Sequence, residues 1–478
     1  MMLKMNKILK IGVIDVIVAI LVAIAVVFSF IPCDRAIFIL PLLVLSYLIP
    51  VVVYRRSSYY NLWGEIALSV AFVMMTIFFT LNLWQSTVLL GSADAPWLLH
   101  DAYFFHRLSQ DIIHHTLGEN SPIVPYMGYP YYLSLWLLVG INDIAYPIVV
   151  NLFLLLMSLL LVGRCVCFIV GEHSSYASRM AGCAMLLTAI VPGVMVNGTV
   201  LLKESFVIVS LLLCINAFYA VKQRYRVGIY TLALLVGLFV LSLCRPTYIY
   251  VLLVYLMVIW SYKFSRRDII PFLSILIMSI LMMWVGTQNS WWGSDQYING
   301  YIAGGGHRSF SYGESQKPLL SLMGDYNAYP VWKKVLVLPF TMGVQFLIPF
   351  PFESVPEEFG MPISGAYQRM SYLWYIVALP ILLYYVLHWW RKDGKCKLSL
   401  FALASLVAYC VPAFVSGGVV SRYAFCFVPM LSVMGAYVMV RVAEYGKLQK
   451  RVSVVFTIVY VVLLMVALYV GAHPHLIM

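Results

Sequence analysis

Charge is what this sequence has least of. Asp, Glu, Lys and Arg make up 10% of its 478 residues, and only 19 are acids, where soluble domains carry about a quarter charged residues. With 63% hydrophobic residues and a mean hydropathy of +0.92, that scarcity excludes a soluble globule. The period-two alternation of a membrane barrel is also missing. The apolar runs are long and continuous, near the roughly 20 residues that cross a hydrocarbon core as helix. No small-residue cleavage pattern follows the first run, 11–31, so it reads as a retained helix and not a signal peptide. The nine cysteines are scattered without the paired spacing of a zinc site or disulfide framework. No internal repeat stands out, which weighs against a transporter built from inverted repeats.

What is present reads as an all-α polytopic membrane protein, a single integral membrane domain over 1–478. Spanning helices are expected near 9–31, 36–54, 65–90, 146–170, 180–197, 205–221, 228–244, 247–262, 269–288, 371–390, 398–416, 423–442 and 452–471, thirteen in all. Two further apolar stretches, 131–141 and 335–350, read as too short or Pro-broken to span. With the N-terminus in the cytoplasm, the inner loops collect 21 of the 31 basic residues but only 6 of the 19 acids, as the positive-inside rule requires. The net charge of +12 is thus explained by topology and by attraction to anionic inner-leaflet lipids, and nucleic-acid binding is not expected. Both long connections, 91–145 and 289–370, fall on the outer side, and long structured loops usually carry function.

The first of these loops contains Ala93-Asp94-Ala95-Pro96-Trp97-Leu98-Leu99-His100-Asp101-Ala102-Tyr103-Phe104-Phe105-His106-Arg107, two acids among aromatics at a membrane surface. Tyr103, Phe104, Leu108 and Ile112 fall at helical spacing, which lays an amphipathic helix on the interface with Asp101 near its start. An ionised carboxylate aimed at an acceptor hydroxyl and shielded from bulk water works as a general base. Asp101 equally suits a helix cap, and its rival Asp94, two residues before Pro96, suits a turn.

Lys203-Glu204 stands where two short helices meet on the outer side, either as a self-neutralised pair at a helix start or as a cation and an acid facing Asp101. Arg245-Pro246 and Arg422-Tyr423 open helices at the same depth. Their guanidinium forks match phosphate oxygens, although interfacial snorkelling places arginine there too. His106, with His100, His114 and His115, matches no dedicated zinc spacing. Tyr103, His106 and Tyr129 are candidate substrate contacts, as are Trp291 and Trp292, which stack on sugar faces or belong to an interfacial belt. Asp15, alone in the first helix, is an intramembrane acid far from these groups.

Several blocks together resemble the polytopic glycosyltransferases of the GT-C superfamily, which includes protein O-mannosyltransferases and lipid A aminoarabinose transferases. Asp101-Ala102-Tyr103-Phe104 with Arg107-Leu108 is similar to the acidic motif of the family's first extracytoplasmic loop, and Tyr129-Pro130-Tyr131-Tyr132 to the segment that ends it. Arg179-Met180-Ala181-Gly182 through Pro192 to Leu202-Lys203-Glu204 is similar to a short helix pair carrying a second acid. Leu243-Cys244-Arg245-Pro246-Thr247 and Arg422-Tyr423-Ala424 with Pro429 are similar to the family's basic blocks. Here three helices precede the acidic loop, which the family commonly places after the first.

The resemblance implies a GT-C-like fold and an inverting transferase of glycan biosynthesis at the cell envelope. The donor would be a polyprenyl-phosphate-linked sugar and the acceptor a glycan, lipid or protein. Asp101 would be the base, with Asp94 and Glu204 the other catalytic candidates, and Arg245, Arg422 and Lys203 would hold the donor phosphate. No cofactor is called for by the motifs; a divalent cation is the one candidate, without a metal-ligand motif. An O-antigen or exopolysaccharide polymerase or ligase is the alternative, and should depend more on outer arginines than on an Asp base. A lipid or glycan transporter would instead place ionisable groups mid-membrane along a pathway. A bacterial inner membrane with the site extracytoplasmic is the expected setting; the endoplasmic reticulum would give the same charge pattern.

Overall fold

The computed structural model describes residues 2–88, 100–117, 126–172, 174, 176–288, 329–347, 362–388, 397–416 and 424–472. Among them every regular element is a helix. In chain order these are α1 (Met2–Phe30), α2 (Cys33–Arg55), α3 (Leu62–Val88), α4 (His100–Ile113), α5 (Gly128–Leu138) and α6 (Ala145–Val170). Then come α7 (Ala177–Ala189), the short α8 (Pro192–Met195), α9 (Glu204–Lys222), α10 (Val227–Cys244), α11 (Tyr248–Ser261) and α12 (Ile269–Gln288). The remainder are α13 (Val331–Leu347), α14 (Pro362–His388), α15 (Lys397–Ser416), α16 (Val428–Arg441) and α17 (Lys447–Ala472).

Among the described residues eight helices are long and apolar enough to cross a membrane, or nine if the bent α7 and α8 pair counts as one crossing. The chain is therefore an integral membrane protein. Tyr248–Ser261, Tyr372–His388 and Lys397–Val411 are apolar but shorter. The expected straight span over 180–197 is instead two pieces bent by 76°. Pro192 is the cause: a residue before proline is driven from helical to extended backbone, and Val191 sits at φ −84°, ψ 109° while Pro192 opens the next helix. The stretch near 335–350, expected to be too short or Pro-broken to span, belongs to the 17-residue α13, which runs through Pro339 and is not among the helices long and apolar enough to cross. The 131–141 stretch is the short helix α5.

The core centres on α6, which packs against α9, α7, α2 and α3, while α7 packs on α3 and α16. Gly171, with φ +96°, closes α6 in the backbone region that suits glycine. By contrast, α1 and α17 leave apolar side chains such as Ile17, Leu21, Val455 and Ile458 exposed, the surface a helix presents to lipid.

Polar contacts pin the two ends of this bundle. Where α6 begins, Arg35 forms a two-pronged pair with Asp143 at 2.8 and 2.6 Å, and Asp143 also accepts the Ala145 amide. Where α6 ends, Ser58 donates to Glu172 at 3.2 Å and Gln223 to the Phe168 carbonyl at 2.9 Å. Also at that end, Arg441 lies over the ring of Tyr176.

Candidate functional site

At the end where α6 begins, a charged cluster is buried under two short helices. Glu204 is the first residue of α9, Lys203 immediately precedes it, and Arg245 follows the last residue of α10. They are 4% (Lys203), 1% (Glu204) and 7% (Arg245) exposed, which surface snorkelling would not produce. Pro246 has the same effect on Arg245 as Pro192 has on Val191: Arg245 leaves helical geometry at φ −161°, ψ 72° and ends α10.

The pairing differs from a self-neutralised Lys203-Glu204. Arg245 Nη2 stands 3.9 Å from Glu204 Oε1, and Arg245 Nη1 donates to the Tyr248 hydroxyl at 3.0 Å. Lys203 places its ammonium 5.4 Å from the ring centre of Phe105 and 5.0 Å from that of Tyr126. Glu204 Oε2 is buried with no hydrogen-bond partner among the described residues. At 3.9 Å the Arg245–Glu204 contact is coulombic and not a hydrogen bond. Two charges about 4 Å apart attract by roughly 4 kcal/mol at an effective dielectric of about 20, a gain that desolvation largely offsets.

The turn that presents Lys203 and Glu204 is fixed by asparagines. Asn82 donates to the Thr199 carbonyl at 2.8 Å. Asn151, from the first turns of α6, donates to the carbonyls of Val200 and Leu202 at 2.8 and 3.1 Å and to the Tyr129 hydroxyl at 2.8 Å. One amide therefore ties α6, α5 and the 200–202 turn together.

The roof is aromatic. Helix α4 buries Ala102, Phe105, Leu108 and Ser109, and Phe105 meets Tyr129 edge-on at 5.4 Å. Tyr129 and Tyr132 in turn pack on Phe206 of α9. Gly128 lets α5 close against α10, since a Cβ there would fall 2.6 Å from both the Cβ and the carbonyl oxygen of Leu243. Burial pushes the Tyr129 phenol well up, so it stays neutral, and pushes the His106 imidazole down.

Of the residues expected from sequence, Lys203, Glu204, Arg245 and Tyr129 converge, and His106 lies on α4, one residue from Phe105. Asp101 and Tyr103 belong to the first turn of α4, with side chains outside the described set. Asp94, Trp291, Trp292 and Arg422 lie outside the described residues. Asp15 sits apart: Glu65, not any of these groups, is the acid whose charge it feels. Sequence reasoning missed Asn151, Phe105, Tyr126, Phe206 and Tyr248. A lone Asn inside the apolar run of α6 was the one available signal. No group of three or more His, Cys, Asp or Glu that could hold a metal occurs among the described residues. Compared with protein-family models, curated proteins and solved structures, the chain matches none.

Proposed function

We propose that this protein is a GT-C-type membrane glycosyltransferase that moves a sugar from a polyprenyl-phosphate donor to a glycan, lipid or protein acceptor. In this reading the chain crosses a bacterial inner membrane thirteen times and works on the extracytoplasmic face. The observation that carries it is the burial of Lys203, Glu204 and Arg245 together at one end of an apolar bundle, beneath α4 and α5. Asp101 begins that roof, one helical turn before the Phe105 ring that Lys203 faces.

The chemistry follows from these groups. Asp101, with Asp94 as its rival, takes the acceptor hydroxyl proton, and the freed oxygen bonds to the anomeric carbon from the side opposite the phosphate. The bond from that carbon to the donor phosphate breaks, and the phosphate leaves with the electron pair. Lys203, Arg245 and Arg422 meet the charge that develops on it, an interaction that strengthens toward the transition state and therefore accelerates the step. Glu204 holds Arg245 in place.

The test is glycosyl transfer in membranes supplied with lipid-linked donors, at matched expression. Asp101→Asn should lose about 10²- to 10⁴-fold in rate, the usual contribution of a general base, and Arg245→Ala a comparable factor. Asp94→Asn should keep most of its activity. If Asp101→Asn stays active while Arg245→Ala is dead, the polymerase or ligase reading replaces this one.

A further inference from the structure

The far end of α10 carries a second charged group that the transfer reading does not use. Two loops lie side by side there, residues 223–226 between α9 and α10 and residues 262–268 between α11 and α12. Lys222 locks them together: its ammonium donates to the carbonyls of Ile259 at 2.7 Å, Trp260 at 3.2 Å and Tyr262. Arg224, Arg226, Lys263, Arg266 and Arg267 project from these loops, all exposed. None of the five has an ion-pair partner among the described residues. The neighbouring acid, Asp268, accepts from the backbone and hydroxyl of Ser265 in a capping box and acts electrostatically on Lys222, which leaves the five outer cations in excess. Lys397 at the start of α15 is close enough to Lys222 and Lys263 for mutual repulsion.

Arg224, Arg226 and Lys263 hold left-handed backbone at φ 56°, 41° and 50°, a region that L side chains enter at a cost and that tends to mark functional segments. A rule that only asks for basic residues at this end of the helices does not ask for that geometry. The adjoining surface is apolar: α10 and α12 pack together, and Ile229 and Leu232 on one, Ile270 and Leu273 on the other, are exposed just beyond the bases. Both helices are long and apolar enough to cross a membrane, which puts their loops at headgroup depth.

We infer that these paired loops bind the phosphate of an anionic phospholipid, whose acyl chains run along α10 and α12. Concentrated cations in excess of the local acid select a phosphate, and the apolar faces beside them select a lipid over a soluble phosphate. The inference is independent of the transfer reading, because the site lies at the opposite end of α10 from Arg245.

The experiment is native mass spectrometry of the delipidated full chain titrated with phosphatidylglycerol, phosphatidylethanolamine or sn-glycerol 3-phosphate. Wild type should retain phosphatidylglycerol selectively. Arg266→Gln/Arg267→Gln should lower its retention at least tenfold, since removing one surface cation worth about 1 kcal/mol is about fivefold. Lys450→Gln/Arg451→Gln on α17 removes two exposed bases from the same end and should leave retention unchanged. Arg224→Gly relieves the left-handed backbone while removing one cation, so it should fold at least as well yet bind less. Equal losses from the α17 and loop variants would reduce the site to diffuse surface charge and overturn the proposal. Displacement of the lipid by glycerol phosphate would overturn the lipid assignment, and wild-type retention in both loop variants would overturn the site.

Discussion

Asn151 shows how much one polar residue organises in an apolar interior. Its amide serves carbonyls 49 and 51 residues away in sequence as well as the Tyr129 hydroxyl, and each buried group left without a partner costs about 1–3 kcal/mol. Asn151→Leu strands the Leu202 carbonyl and the Tyr129 phenol, while the Val200 carbonyl keeps the Leu202 amide at 2.8 Å, so it should destabilise by about 2 kcal/mol. Tyr129→Phe removes one partner and leaves the carbonyls served, for about 1 kcal/mol. Thermal unfolding in detergent should reproduce that order; a costlier Tyr129→Phe would contradict the role given to Asn151. His106 supplies a second test. Burial holds its imidazole below the ordinary 6.5, so the unfolded chain binds the proton more readily than the folded one. This group therefore costs nothing well above pH 6.5 and destabilises as pH falls through that value. The stability lost between about pH 7 and pH 5 should be smaller in His106→Gln than in wild type, and an equal loss would assign the pH dependence to other groups. Lys203, Glu204 and Arg245 were legible in the sequence because isolated charges stand out in an apolar chain. Phe105, Tyr126 and Tyr248 were not, since one aromatic among 15% aromatic residues has no contrast and their role is a tertiary contact.

At the scale of elements, proline and glycine decide where the site can form. Pro192 and Pro246 each end a helix and present what lies beside them, whereas Pro41, Pro50, Pro339 and Pro380 sit inside helices that continue. The sequence alone does not separate the two groups. A proline inside an apolar helix removes one backbone bond, and whether neighbours satisfy the freed carbonyl depends on packing. The amphipathic helix carrying Asp101 was legible from its spacing, but the closeness of α5 to α10 was not. That closeness rests on Gly128, where an added Cβ would meet backbone and not a flexible side-chain end. Gly128→Ala should therefore push α5 outward, destabilising by about 1–3 kcal/mol as overpacking does, and lower transfer more than Gly446→Ala, whose Cβ would meet nothing. Equal activity in the two variants would mean that α5 need not seat against α10.

At the scale of the whole molecule, two exposed positions distinguish the possible numbers of crossing helices. Asn142 lies beside the Arg35–Asp143 pair at one end, and Gly446 follows α16 near the Tyr176 end. If only the eight long helices crossed, four would lie between these positions: Ala145–Val170, Glu204–Lys222, Val227–Cys244 and Arg266–Gly286. An even number returns the chain to the side it left. If the bent α7 and α8 pair, α11, α14, α15 and α16 also cross, the number is odd and the positions face opposite compartments. In a cysteine-free background, Asn142→Cys should react with a membrane-impermeant maleimide in intact cells. Gly446→Cys should react only after permeabilisation, because the loops on its side carry the excess of Lys and Arg. Labelling of both from outside would restore the even count and leave the shorter helices as buried or re-entrant segments. The opposite polarity, Gly446→Cys outside and Asn142→Cys inside, would keep the odd count but put Lys203, Glu204 and Arg245 in the cytoplasm, where an extracytoplasmic transferase has no use for them.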